Sequence, residues 1–363
     1  MTGKSLPARK QKQNGIALIM VLFVIALTAA LTAFIASSTY FGAKLHKAFV
    51  QRAQAEYILK SALNVARVLI STGQGDVDPP KDSWGPFAQG MELDARALGI
   101  NIPNATVGLE ISAIDAKMSV LKLIDSSNGA VGGQGHDLFL KWRDRLSRLF
   151  QNLGFDQDNE TVLEGQFKGR VFTSEELVAN LIDYLDEDTD SYPGENGFAT
   201  GIESKLAKDL LFPNNKKEAL RRLEELENIP GFTAKRIRAL SPHVTTSEVD
   251  LVNVNLASGQ VLQGLDPAVT AIEAQALVAY ARGPDGPFDQ STLRTVGPTL
   301  VSSFDTLAQQ LTTRSRHLQV IAKTQFGGSR YFLRAYLTKE PGTTQQFGTT
   351  PPLPTIIGVE MYG

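Results

Sequence analysis

The sequence predicts an α+β protein: a long N-terminal helix, transmembrane and then amphipathic, packs on a small antiparallel sheet, and a large all-α domain with helix-hairpin-helix-like repeats is inserted into the sheet. Three observations predict it. An uncharged apolar run, Ile16 to Ala36, passes without a break into an amphipathic pattern that reaches Ile70. Strand-like segments lie on either side of a long stretch, about 137 to 312, whose apolar spacing is helical. A helix, a first strand set, a helical stretch and a final strand set fit one sheet interrupted by an insertion.

The apolar run has 21 residues, which at about 1.5 Å per residue is roughly 30 Å of helix, the thickness of a bilayer core. Lys4, Arg9, Lys10 and Lys12 precede it, and no Asp or Glu occurs before Glu56. The positive-inside bias therefore places the N-terminus of a single-pass membrane protein in the cytoplasm and exports the rest. A removable secretory signal has an apolar core of about 7 to 15 residues. This run is too long, and its best small-residue site, Thr28 with Ala30, lies in mid-span. Cleavage between Gly15 and Ile16 fits better, because it removes the basic leader and leaves the helix whole.

Beyond the span, Phe41, Leu45, Ala48, Phe49, Ala53, Tyr57, Leu59, Leu63, Ala66, Leu69 and Ile70 recur at helical steps, with Lys44, Lys47, Arg52, Glu56 and Lys60 interleaved. One rod from Ile16 to Ile70 is expected, half in lipid and half packed on a folded domain. "TGQGDVDPP" (72–80) ends it. "VGLEISAIDAKMSVLKLID" (107–125) reads as strands, and the Gly-rich "SSNGAVGGQG" as a linker. "LFLKWRDRLSRLFQNLG", "TSEELVANLIDYL" and "KKEALRRLEELENI" read as helices, with Thr173 and Glu176 forming a capping box. "HLQVIAKTQ" and "RYFLRAYLT" flank a Gly-Gly turn as a hairpin, and "TIIGVEMY" is a last strand. The expected domains are a leader (1–15), the helix (16–70, with 16–36 in the membrane), a sheet core (71–128 and 313–363) and the insert (129–312).

Composition narrows function. Of 363 residues 42% are hydrophobic and 20% charged, so the exported part can bury a core. Residues 1–55 hold seven basic and no acidic residues, leaving 29 basic against 38 acidic beyond, and this acidity opposes non-specific nucleic-acid binding. There is no cysteine, which excludes disulfides and thiol chemistry. His46, His136, His243 and His317 are scattered, and neither a nucleophile elbow nor a phosphate-binding glycine motif occurs, so the chain is not expected to be an enzyme. Trp84 and Trp142 are expected to be core anchors.

"LENIPGFTAKRIRAL" and "VNVNLASGQVLQGLDPAVTAIEAQALVAYARGPDGPF" share a helix, turn, helix plan that resembles helix-hairpin-helix units, whose turn amides hold DNA phosphates. The bland reading is a compact helical fold. Residues 216–245 carry seven basic and four acidic residues, but 246–297 carry two against six, which favours it. "IDYLDEDTDSYPGEN" places Asp183, Asp186, Asp188, Asp190 and Glu195 close together. Crowded carboxylates repel unless a cation draws them in, and calcium takes about six to eight oxygens. An EF-hand is excluded, since the sixth and twelfth positions from Asp186 are Ser191 and Gly197. A calcium loop and a solvated acidic loop both remain.

The leader ending at Gly15, the new N-terminus Ile16 and the uncharged helix resemble a type IV pilin-like signal cut by prepilin peptidase. "SAIDAKMSVLKLID", "LVANLIDYLDEDTDSYPGENGF", "ENIPGFTAKRIRALSPHVTT" and "VNVNLASGQVL" occur in the order seen in the minor pseudopilin K family of type II secretion systems, which the chain resembles over nearly its whole length. The resemblance implies a pilin-like core, an N-methylated Ile16, calcium sites in the acidic region, and partners in minor pseudopilins I and J, the inner-membrane secretion platform and prepilin peptidase. It implies no nucleic acid. Pilin-like signals usually carry Glu at the fifth mature residue; here that residue is Met20, as in K-type members. The alternative is an exported, competence-type DNA-binding protein with the same signal.

Overall fold

The computed structural model describes residues 13–72, 84–100, 105–123, 134–186, 190–203, 220, 222–326, 328–339 and 352–363. Helix α1, Gln13–Thr72, is one unbroken rod of 60 residues, roughly 90 Å long. It is long and apolar enough to cross a membrane. Its packed part is shorter than the apolar spacing suggested. Ala55, Ile58, Leu59, Ala62, Leu63, Ala66 and Ile70 are buried at steps of three and four. Phe41, Leu45 and Phe49, counted in the same apolar series, stand exposed because the folded domain begins at Ala55, and Tyr57 is exposed on the outward face of the helix. The leader up to Lys12 and the chain between 73 and 83 lie outside the described residues.

Strands β1 (Met91–Asp94), β2 (Thr106–Ala113), β7 (His317–Phe326), β8 (Ser329–Thr338) and β9 (Thr355–Tyr362) form one antiparallel sheet in the order β1-β2-β7-β8-β9. The alternation in β2 is clean: Val107, Leu109, Ile111 and Ala113 point to the core, where Leu318, Val320, Ala322, Leu333, Ala335 and Leu337 meet them under α1. The expected hairpin and last strand are both present. Trp84 closes one side of this core.

The insert leaves after β2 and returns at β7. It holds α2 (Gln134–Asn152), α3 (Ser174–Leu185), α4 (Ala234–Leu240), α5 (Gly259–Leu265), α6 (Ala271–Arg282), α7 (Gln290–Leu300) and α8 (Phe304–Ala308). Two parallel bridges tie it, β3 (Met118–Ser119) with β4 (Val244–Thr245) and β5 (Val252–Asn253) with β6 (Leu311–Thr312). Its core is separate from the sheet core and includes Trp142. Met118, Val120 and Leu123 also belong to it, so the chain passes into the insert's core well before residue 129.

Two local readings differ. The segment read as a helix over "KKEALRRLEELENI" forms a short 3-10 turn at Leu223–Asn228, and its first part lies outside the described residues. The first arm of the "LENIPGFTAKRIRAL" pair is therefore not an α-helix, and a helix-hairpin-helix unit is not established there. In the second arm Arg236 is buried against Asp158, while Lys235 pairs with Glu160 at the surface and Arg238 is exposed. The linker read at 126–135 falls outside the described residues up to 133, and Gln134 and Gly135 already belong to α2.

Candidate functional site

Helix α3 begins with the capping box read from the sequence: Thr173 accepts from the Glu176 amide, and the Glu176 side chain accepts from the Thr173 amide. Nearly every residue of α3 is buried, and Asp183 is among them. Its Oδ1 accepts from Tyr192 N at 2.6 Å, and its Oδ2 accepts from Ile202 N at 2.6 Å and Glu203 N at 2.8 Å. A buried carboxylate with several amide donors is satisfied in place. Asp183 thus closes the loop after α3 by holding its two ends. The carboxylate lies so near Gly201 that a Cβ there would stand 2.1 Å from Oδ2. Gly194, at φ +77°, likewise has no room for a side chain against the Phe198 carbonyl.

Helix α2 supplies the other wall. The Arg143 guanidinium is buried and donates to the Tyr192 hydroxyl (2.8 Å), the Glu195 carbonyl (3.0 Å) and Asp144. It also stacks on Phe198. Burial pushes the Tyr192 phenol up. His136 Nε2 lies 2.8 Å from Glu195 Oε2 while its ring stacks on Phe139. Arg143, Asp144 and Phe198 also line a polar cleft of about 490 Å³ with Asp137, Lys141, Glu175 and Asn196.

The five sequence candidates are not gathered on one point. Asp183 serves backbone amides, Glu195 meets His136, Asp186 forms the C-cap of α3 and Asp190 is exposed. Asp188 lies outside the described residues. Among the described residues no group of three acidic or histidine side chains is arranged to hold a metal. Gly15 and Ile16 lie near the start of α1, and Met20 follows one turn later with its side chain exposed.

Three groups escaped sequence reasoning. Asp115 is buried between the two domains and accepts from the Arg316 and His317 amides and from His317 Nδ1 at 2.9 Å. In the "VNVN" motif Asn253 donates to Ser315 Oγ, and Asn255 bonds both the amide and the carbonyl of Phe288. These two asparagines staple the returning chain to the insert. Asn-x-Asn in an apolar run was the available signal, since buried amides need partners.

The comparisons agree with this geometry. Residues 134–249 match the family described as "Type II secretion system (T2SS), protein K". The fold is similar to a chain of the crystal structure of the GspK-GspI-GspJ complex from the enterotoxigenic Escherichia coli Type 2 Secretion System, with a TM-score of 0.60 at 13% identity, covering 88% of this chain and 99% of that one. No curated protein matches.

Proposed function

We propose that the chain, whose residues 134–249 match the type II secretion system protein K family, works as a minor pseudopilin at the tip of a pseudopilus. There it initiates assembly with I- and J-type subunits while folded proteins are exported. The observation that carries this reading is the match of the insert to protein K within a fold of the same kind over most of the chain. A candidate membrane span at the N-terminus of that fold supports inner-membrane anchoring with the folded part in the periplasm. The test is to delete the gene and assay secretion. Loss of secretion, restored by this chain and not by a copy lacking residues 134–312, is the expected result; undiminished secretion in the deletion strain overturns the reading.

In the same reading, prepilin peptidase cuts between Gly15 and Ile16, the new amine is methylated, and the inner-membrane platform receives the helix. Mass spectrometry of the membrane form is expected to show Ile16 first. Retention of Met1, or a start beyond Ala30, overturns this step. Helix-hairpin-helix character in the insert is a further expectation, and a gel shift with short duplex DNA tests the competing DNA-binding role.

Calcium belongs to this proposal as well. Asp183 holds backbone amides and Glu195 meets His136, while Asp186 caps α3 and Asp188 and Asp190 follow it in the sequence. Carboxylates this close in sequence repel one another, and a bound cation would lower that repulsion. Chelator is expected to lower the melting temperature, and Asp186→Asn with Asp188→Asn to erase the difference. An unchanged melting curve with and without calcium returns the loop to a solvated turn.

A further inference from the structure

Helices α2 and α5 meet so closely that a Cβ on Gly264 would stand 2.9 Å from Met118 Cε and 3.3 Å from Leu149 Cβ. That approach brings Arg145 and Arg148, three residues apart and so on one face of α2, to the C-terminal end of α5. Arg145 Nε donates to the Leu265 carbonyl at 3.2 Å. Arg148 Nε donates to the Gly264 carbonyl at 3.2 Å, and its Nη2 to the Leu265 carbonyl at 3.4 Å. Both guanidinium groups therefore meet on one backbone oxygen. Arg145 is also held by Trp142, whose ring centre lies 4.9 Å from its guanidinium carbon. Both side chains are half-buried.

Two positive charges this close repel each other, and half-burial removes part of the water that would screen them. The nearby acids are engaged elsewhere. Asp144 pairs with Arg143 at 2.7 Å. Asp266, buried just past α5, accepts from the Ala268 amide through Oδ1 and from the Thr306 hydroxyl through Oδ2. Among the described residues neither Arg145 nor Arg148 bonds a carboxylate. Burial and the Arg148 charge, opposed by Asp266, push Arg145 down to about 10, and burial lowers Arg148 against Asp144 and Asp266. Capping the last carbonyls of α5 accounts for the three backbone bonds. It leaves the rest of each guanidinium without a role.

The unspent donors decide what fits. A guanidinium has five N–H groups; Arg145 uses one and Arg148 two, so four and three remain without an acceptor among the described residues. A carboxylate brings two oxygens with about four acceptor sites, too few for both forks. A phosphate group brings three strong acceptor oxygens and up to about two negative charges, which answers two guanidinium forks in number and in charge. Asp266 tempers the attraction without occupying either fork. We propose that Arg145 and Arg148 form a binding site for a phosphate group, free or carried on a lipid headgroup, at the C-terminal end of α5. The site does not rest on the proposed function.

The test uses the full chain in uncharged detergent and a buffer free of phosphate and sulfate. Inorganic phosphate, dihexanoyl phosphatidic acid and acetate are each titrated by calorimetry into the parent and into the double variant Arg145→Lys with Arg148→Lys, which keeps both charges and loses the forks. Saturable binding of a phosphate compound at one site is expected, about tenfold weaker in the variant, with no saturable binding of acetate. Binding of inorganic phosphate identifies a soluble source and binding of the lipid alone a headgroup; either supports the site. Saturable binding of neither phosphate compound, acetate binding as tight as phosphate, or an affinity unchanged in the variant overturns the proposal. Melting curves show whether the variant folds. If it does not, Arg145→Lys alone, which gives up a single backbone bond, carries the same comparison.

Discussion

Asp183 gives its charge to its own backbone, and that fixes what its loss would do. Asp183→Ala leaves the amides of Tyr192, Ile202 and Glu203 buried without their acceptor, which costs on the order of 3 kcal/mol. Gly201→Ala attacks the same contact from the other side, because its methyl would overlap the carboxylate. Both variants are expected to lower the denaturation midpoint of the detergent-solubilised chain, and a midpoint within error of the parent for both contradicts the assigned role. Arg236 gives a parallel case. Its guanidinium holds Asp158, the Phe155 carbonyl and the Gly231 carbonyl, so Arg236→Ala, measured the same way, is expected to cost about 3 kcal/mol by stranding a largely buried carboxylate. Composition made Asp183 a ligand candidate and Arg236 part of a basic patch. A residue count cannot say whether a charge faces water. In α3 Leu181, Ile182 and Leu185 flank Asp183 in sequence and are buried with it, and a helix apolar on almost every side past its first turn is the signal that the one acid there serves an internal partner.

At the scale of elements, the two crossings between sheet and insert carry histidines of opposite behaviour. The Asp115 hydrogen bond raises His317 above its ordinary value, against burial and Arg316, with Asp250 adding to the rise. Burial, with Lys117 nearby, lowers His243, whose Nδ1 meets Ser258 Oγ at 2.8 Å. A raised histidine contributes stability that is complete below its unfolded value and lost as pH rises through its folded value. A lowered one does the reverse: its penalty is absent above the unfolded value and grows as pH falls below it. Melting curves between about pH 5 and 8, a range that brackets the unperturbed histidine value, are therefore expected to lose stability toward high pH in His243→Asn and toward low pH in His317→Asn, relative to each other. Parallel curves for the two variants would remove the crossings as the origin. The elements themselves were legible where periodicity was long: α1, α3, and β2, β7 and β8 follow their apolar spacing. Short pieces were not, since the four residues of β1 and the two-residue bridges that join Met118 to Val244 and Val252 to Leu311 leave too few positions for a period to show.

For the whole molecule, two features stand apart: a neutral Met20, which would be the fifth residue after the proposed cut at Gly15, and a head whose larger core belongs to the insert. In a filament of pilin-like chains, a carboxylate at that position would answer the buried amine of the neighbour above, because an unpaired charge in an apolar core is costly. Met20 offers no such partner, so a neighbour above would keep its amine uncompensated. The insert, carried between β2 and β7 with its own core, also adds bulk that a uniform stack would have to accommodate in every repeat. Both features fit the proposed place at the filament end, with nothing above it. On the proposed processing and tip role, the amine of Ile16 would be answered by a carboxylate of the subunit below. On the proposed tip role, Met20→Glu is expected to insert in the membrane as well as the parent, since one added carboxylate near the end of so long an apolar run is within its reserve, and to leave filament initiation intact because no neighbour reads that position. Immunogold labelling of overproduced filaments with antibody against the insert is expected to mark ends, one site per filament, for both forms. Regular labelling along the shafts, in the parent or in Met20→Glu, removes the tip assignment, because it would show that neighbours stack above this chain without the missing charge.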